Sequence, residues 1–458
     1  LAKSTVFYRD DLTFHYAPLL KAVDIGLAHG AGRNAEQVYY TFFTCIRLFY
    51  EVSRSLPAVV KGQPADLVSY LFYAQIFKTS NPSDKIFALY GLMHSSVPDL
   101  PRPDYGQDVK DIYRESTAAV LRYSKDLSIL EMLHGGRVTE GLVSWVPDWG
   151  CESFPALPMV GGEVSGQFHA TKSSKAKFSM SDDGLSLIVR GKIIGTVSAC
   201  ALHSSSAVTE GLGDAEEYLT WTQNALPTDP YWRSLLQTYP HCSTFILRLW
   251  NIRVLQSFAD FARETNLNNG GSDTRTELYE TLCSHSSNYS PKRILPELKS
   301  WEAWWNTLMQ RDPALADPTQ TPVSSSKTIL KKLKSAITPS PAPYISGGSI
   351  LATWPSFIRE NWNEDTMLLT TEFLIFEEMS KDPAQAEIQA MLQSSLKYQT
   401  LFRTEEGNLG MVCNGVKVGD RILLVAGVST PFVVRGEAGG FEVIGPAFVR
   451  GVMEGEAW

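Results

Sequence analysis

Two glycine-punctuated stretches, 141–200 and 398–458, set the problem this chain has to solve. Short apolar runs in each are divided by Gly and Asp turns. LSLIVRG and KIIGTVSAC stand in the first; GNLGMV, VKVGDRILLVAG, PFVVRGE and FEVIGPAFVRGVMEGEA stand in the second. Runs of this kind read as strands. Neither stretch holds enough of them for a stable sheet, because a small isolated sheet buries too little apolar surface. The expectation is that the two pair into one antiparallel sheet or barrel, with residues 205–397 as a helical insertion. The fold class is then α+β.

Upstream of the first stretch, residues 1–135 read mainly as helix. VYYTFFTCIRLFYEVSRSL (38–56) and ADLVSYLFYAQIF (65–77) are apolar at helical spacing. In NPSDKIFALYG (81–91), Asn81 can cap a short helix, Pro82 fits the first helical position, Asp84 places a negative charge at the helix N-terminus, and Gly91 can end the turn. Asp108 is the cap expected for a second helix, along whose face run Val109, Ile112, Tyr113, Val120 and Leu121. GLVSWVPDWG (141–150) is expected to be extended, since Pro147 bars a regular helix.

Composition bounds the function. Hydrophobic residues make up 44% and charged residues 20% of 458, enough to bury large cores. The net charge of −8 gives the chain no overall attraction for nucleic acid. Six widely spread cysteines read as reduced thiols of a cytoplasmic protein, and no apolar run is long enough to span a bilayer. The basic run KTILKKLKSAI (327–337) reads as a solvated helix, with a membrane-surface role as the lesser reading.

Chemistry-bearing motifs are scarce. The chain has no GxxxxGK[ST] loop, GxGxxG fingerprint, HExxH helix, CxxC pair or GxSxG elbow. His241–Cys242 and Cys283–His285 offer four possible zinc ligands, but an adjacent His–Cys pair strains the geometry one ion requires. Glu454 and Glu456 could pair as carboxylates in an extended segment; a polar turn around Gly455 is the reading preferred here. Trp145, Pro147, Asp148 and Trp149 form an aromatic–proline knot that packs as an anchor or, alternatively, stacks on a base. Gly419–Asp420 reads as a β-turn.

Several segments, taken in order, resemble fungal heterokaryon-incompatibility (HET domain) proteins: LAKSTVFY (1–8), NPSDKIFALYGL (81–92), RPDYGQDVKDIYRE (102–115), LVSWVPDW (142–149) and the C-terminal run ending FVRGVMEGEAW. SWVPDW followed by GVMEGEA is the most specific pair. Asn81 and Ser83 depart from the family's Asp and Arg in its DPRDK-type element.

The resemblance implies a domain plan and a role. Residues 1–140 correspond to the helical end of the HET region, 141–204 to a β-rich segment, 205–310 to a helical insertion, 311–348 to a Pro/Ser/Thr-rich linker, 349–397 to further helix and 398–458 to the C-terminal β segment. The chain begins without Met, and the family's N-terminal motifs are not in it, so it reads as a downstream fragment. Its implied role is regulatory or docking, with the HET domain in cis and other proteins as partners, in non-self recognition and programmed cell death. No cofactor, metal, nucleic acid or catalytic residue is assigned. The alternatives are part of a TIR-like nucleotide- or NAD-hydrolysing effector, or a protein-binding scaffold. The family-motif positions expected to be structurally decisive are Asn81, Pro82, Asp84, Lys85, Trp145, Pro147, Asp148, Trp149, Gly419, Asp420, Gly451, Gly455 and Glu456.

Overall fold

The structure is a computed structural model of the chain. It describes residues 6–9, 12–15, 71, 79–90, 97, 99–133, 137–151, 168–203, 234, 237, 258, 261–262, 274–283, 399–413, 415–437 and 439–458. The expected helices at 38–56 and 349–397, the 311–348 linker, and nearly all of 65–77 and 205–310 lie outside the described residues.

The elements in chain order begin with strands β1 (Val6–Arg9) and β2 (Leu12–His15), then helices α1 (Asp84–Phe87) and α2 (Val109–Ser124) and a 3-10 segment (Ser128–Met132). Strands β3 (Phe178–Met180), β4 (Leu187–Val189) and β5 (Gly191–His203) come next, followed by helix α3 (Thr274–Cys283). The C-terminal strands are β6 (Gln399–Thr404), β7 (Leu409–Cys413), β8 (Arg421–Val425), β9 (Phe432–Glu437) and β10 (Gly440–Val449).

The pairing expected between the two β-rich stretches is present. Six strands close into an antiparallel barrel in the order β10-β7-β6-β5-β8-β9. β5, from the first stretch, takes the slot between β6 and β8 of the second. Its register with β6 runs from Val197↔Thr404 to His203↔Thr400. Closure removes the exposed edges that an open six-stranded sheet would leave.

One expectation is corrected. β1 and β2 pair as an antiparallel hairpin, with Val6 opposite His15 and Arg9 opposite Leu12, so Val6–Arg9 and Leu12–His15 are strand and not helix. VFYR and LTFH are aromatic and β-branched runs on either side of Asp10–Asp11, a composition that suits a hairpin. Two smaller differences follow the same logic. Residues 141–150 form turns rather than an extended run, and the strand in FHATKSSKAKFSM begins only at Phe178.

Two compact units divide the chain: Leu1–Ile194 with Ile422–Pro446 and Val452–Trp458, and Gly195–Arg421 with Ala447–Gly451. In the first, α2 supplies the core. The Asp108 side chain accepts from Lys110 N at 3.2 Å and caps the helix, and Lys125 ends it in the left-handed conformation. Ile112, Tyr113, Ala119, Val120 and Leu121 are buried with Val425, Val428, Phe432 and Val434 from β8, β9 and the loop joining them. The Tyr113 hydroxyl donates to Pro82 O at 2.9 Å, which ties α2 to the turn before α1. Burial first, and the nearby Asp148 charge second, raise the Tyr113 phenol well above its usual range.

In the second unit, all five residues of β7 are buried. That pattern means cover on both faces. α3 packs against β7 and buries Leu278, Tyr279 and Leu282. Arg450 reaches α3 with both ends of its guanidinium: Nη1 lies 2.7 Å from Glu277 and Nε 3.1 Å from Glu280. Replacing Arg450 with Met leaves two partly buried carboxylates side by side, a loss of about 1–2 kcal/mol for this forked pair. A lowered urea midpoint with an unchanged m-value is the expected result.

Candidate functional site

Several buried charged side chains among the described residues hold loops. Asp148 is only 3% exposed. Its Oδ2 accepts from Val138 N at 2.7 Å and Thr139 N at 2.8 Å, while Oδ1 accepts from the Thr139 hydroxyl at 2.7 Å and Gly150 N at 3.0 Å. Arg137 does the complementary work on carbonyls. Its guanidinium donates to Leu142 O at 3.2 Å, to Val143 O at 2.9 Å and to Ser144 O. One carboxylate thus collects the loop's N–H groups and one guanidinium its C=O groups. A buried irregular segment requires this, since its backbone has no ladder to satisfy it.

The aromatic knot sits on this loop. Trp145 and Trp149 are buried in the α2 core, and the Trp145 indole N–H donates to Leu185 O at 3.0 Å. Pro147 is buried between them. Next to the knot, Asn81 Oδ1 accepts from Ser83 N at 3.0 Å, and Pro82 O takes the Tyr113 hydroxyl. Asp84 accepts from the Tyr105 hydroxyl at 2.8 Å, and Lys85 is buried.

Three of the remaining sequence-selected positions lie on the turn that closes the chain. Gly451 and Gly455 both have positive φ, +75° and +83°. The Glu456 carboxylate accepts from Glu454 N at 2.9 Å, so it holds the turn and does not pair with the Glu454 carboxylate as an acid–base couple. Met453 O accepts from His169 N at 2.7 Å, docking the turn on residues 168–172. In the second unit, Gly419 and Asp420 form the turn before β8. Asp420 Oδ2 accepts from Lys417 N at 2.7 Å, and its main-chain O accepts from Val197 N at 2.7 Å. Burial, and then the Asp420 charge, push the Cys200 thiol up to about 11, which leaves it protonated and inert.

Glu131 was not singled out by its sequence context, SILEML, which looks like an ordinary polar position on a helix. It is 3% exposed, and its Oε1 accepts from Ser429 N at 3.2 Å and from the Ser429 hydroxyl. Thr171 adds a second tie to the same β8–β9 loop, donating to Val428 O at 2.8 Å. Burial pushes the Glu131 carboxyl up to about 7, with Asp126 adding to the rise and the Ser429 bonds opposing it.

Among the described residues no cluster of His, Cys, Asp and Glu could hold a metal ion. His241, Cys242 and His285 lie outside those residues. Residues 372–457 match the Het-6 beta-barrel domain. This segment is similar to that domain. This domain occurs in fungal heterokaryon-incompatibility proteins. No curated protein and no solved structure matches the chain. The match covers β6 to β10, so β5, the strand that closes the barrel, comes from outside the matched segment.

Two outcomes follow from this geometry. A raised folded-state pKa means the folded protein holds the Glu131 proton more tightly than the unfolded chain. The stabilisation is full below about pH 4.5 and is lost as pH rises through about 7, a span of about 3 kcal/mol. Glu131→Gln keeps the acceptor and removes the titration. Melts of the variant should therefore lack that pH 5–8 decline and exceed the parent's stability at pH 8. The two glycines should also separate. A Cβ at Gly451 meets nothing within 4 Å, whereas one at Gly455 falls 2.5 Å from Lys172 Cγ and 3.0 Å from His169 O. Gly451→Ala should cost about 1 kcal/mol and Gly455→Ala clearly more in denaturant titrations.

Proposed function

We propose that this chain is the regulatory and docking portion of a fungal heterokaryon-incompatibility protein, acting in the cytoplasm in non-self recognition and programmed cell death. The Het-6 barrel match supports the family setting. The observation that carries the regulatory reading is how the buried polar groups are used. Asp148, Arg137, Glu131 and Asp420 are each engaged with backbone of neighbouring loops, as the turn at 417–420 and the loop at 137–150 illustrate. Such groups fix the shape of a surface; they are not aimed at a substrate. The HET domain is the partner in cis, and the death-inducing chemistry belongs to it.

In this reading Trp145 and Trp149 are packing anchors, Asp84 is a charge at the N-terminus of α1, Asp148 organises its loop, and Gly419, Asp420, Gly451, Gly455 and Glu456 shape the turns of the barrel region. The role is read by expressing the 458 residues alone, and joined to the HET domain, in a fungal host. The chain alone should leave growth unaffected, and the purified chain should leave NAD intact. Joined to the HET domain, Asp148→Asn, which keeps one carbonyl acceptor for the loop, should weaken the incompatibility response less than Asp148→Ala, which leaves the loop's donors unpaired and lowers stability as well. NAD cleavage by the purified chain, or killing by the chain alone, contradicts the proposal.

A further inference from the structure

The β3–β4 hairpin presents one face to the core and the other to solvent. Phe178, Met180, Leu187 and Val189 pack against the α2 core. The alternate positions point outward. Lys175 and Lys177 are exposed on one side of the hairpin, and Ile188, Arg190 and Lys192 on the other. Register makes this a compact set. Phe178 pairs with Val189, and Arg190 N donates to Lys177 O at 3.3 Å, which brings Lys177 and Arg190 directly opposite each other. Like charges in that position destabilise a hairpin.

None of the four cations has an anionic side chain as partner among the described residues; Lys192 donates to Ala457 O at 2.9 Å. Beside them is an exposed aliphatic side chain, Ile188 at 57%; Leu185 lies at the far turn, where its N–H donates to Asp183. β3 and β4 pair only with each other, so a strand edge is open among the described residues.

We infer that this face docks an acidic, extended peptide segment of a partner protein. Same-face positions on a strand repeat every ~6.7 Å, which is also the spacing of alternate carboxylates on an extended peptide. The open edge can bond such a peptide's backbone, and Ile188 supplies apolar contact that a phosphate chain would not use. A long polyanion would meet the rest of a chain whose net charge is −8, whereas a short acidic segment meets only the patch. The inference stands independently of the regulatory role proposed above.

The probe is a fluorescein-labelled Glu-Leu-Glu-Ser-Glu-Ser peptide, titrated with the full chain by anisotropy, beside a dT12 oligonucleotide and phosphatidylserine vesicles. Binding of the peptide at low salt should weaken about fivefold or more at 300 mM salt, as expected of exposed charges. The double variant Lys177→Glu, Arg190→Glu should weaken it about tenfold or more. Lys417→Glu, elsewhere on the surface, should not. Lys177→Glu alone relieves the like-charge pair, should melt no lower than the parent and should still weaken peptide binding about threefold, so that the loss is read in a variant that keeps its fold. Absence of peptide binding, equal binding by the double variant, or tighter binding of the oligonucleotide or vesicles overturns the inference.

Discussion

The backbone of residues 196–198 is hydrogen-bonded on both sides. Val197 N donates to Asp420 O at 2.7 Å and Val197 O accepts from Gly419 N at 2.9 Å; on the other side Glu405 N donates to Thr196 O at 2.9 Å. The Ser198 hydroxyl adds bonds to Arg403 O at 3.1 Å and Thr404 O at 3.0 Å. This doubled pairing is what turns five C-terminal strands into a barrel. Without β5, both β6 and β8 would present an open edge, and a twisted sheet of this size would not close. The barrel is therefore built from two segments separated by residues 204–398. Its stability includes the entropy of bringing those segments together, a cost that grows only slowly with the length between them.

Around the barrel the same physical problem recurs and has the same solution. Turns and loops that pack against a core cannot satisfy their backbone in a ladder, so single side chains do it. Asp148 gathers N–H groups, Arg137 gathers carbonyls, Glu131 holds the β8–β9 loop and Asp420 holds the turn before β8. Each is a charged or ionisable group placed where its loss leaves several partners unpaired at once. The penalty for such a loss is of the order of several kcal/mol, more than the bond itself contributes. Loop shape is thereby made as specific as strand register. Glu131 differs from the others because the group that holds the loop also titrates, and its burial places that titration close to neutral pH.

Much of this was legible in the residues. The shortage of strands in each β-rich stretch pointed to their pairing, and the alternation in KIIGTVSAC marked β5. Asp108 as a cap followed from helix chemistry. Other features were hidden for definite reasons. Glu131 and Ser429 are 298 residues apart, and nothing local marks a glutamate as buried. The bonds of Arg137 to Leu142, Val143 and Ser144 go to carbonyls, which carry no sequence signature. The N-terminal hairpin was readable from VFYR and LTFH but was outweighed by the helical periodicity that follows. The basic face of β3–β4 was also readable: Lys-x-Lys and Ile-x-Arg-x-Lys alternate at strand period, a pattern that becomes meaningful once register shows the cations opposite each other.

The account stands on β5 being an integral barrel strand rather than a segment laid against one. Amide hydrogen exchange on the full chain tests this most directly, because strands of one cooperative unit open together. The Val197 amide should be protected to the same opening free energy as the amides of Leu401 and Met411 in β6 and β7. Fast exchange at Val197 while β6 and β7 stay protected would show that the C-terminal strands hold together without it, and would contradict closure of the barrel by this strand.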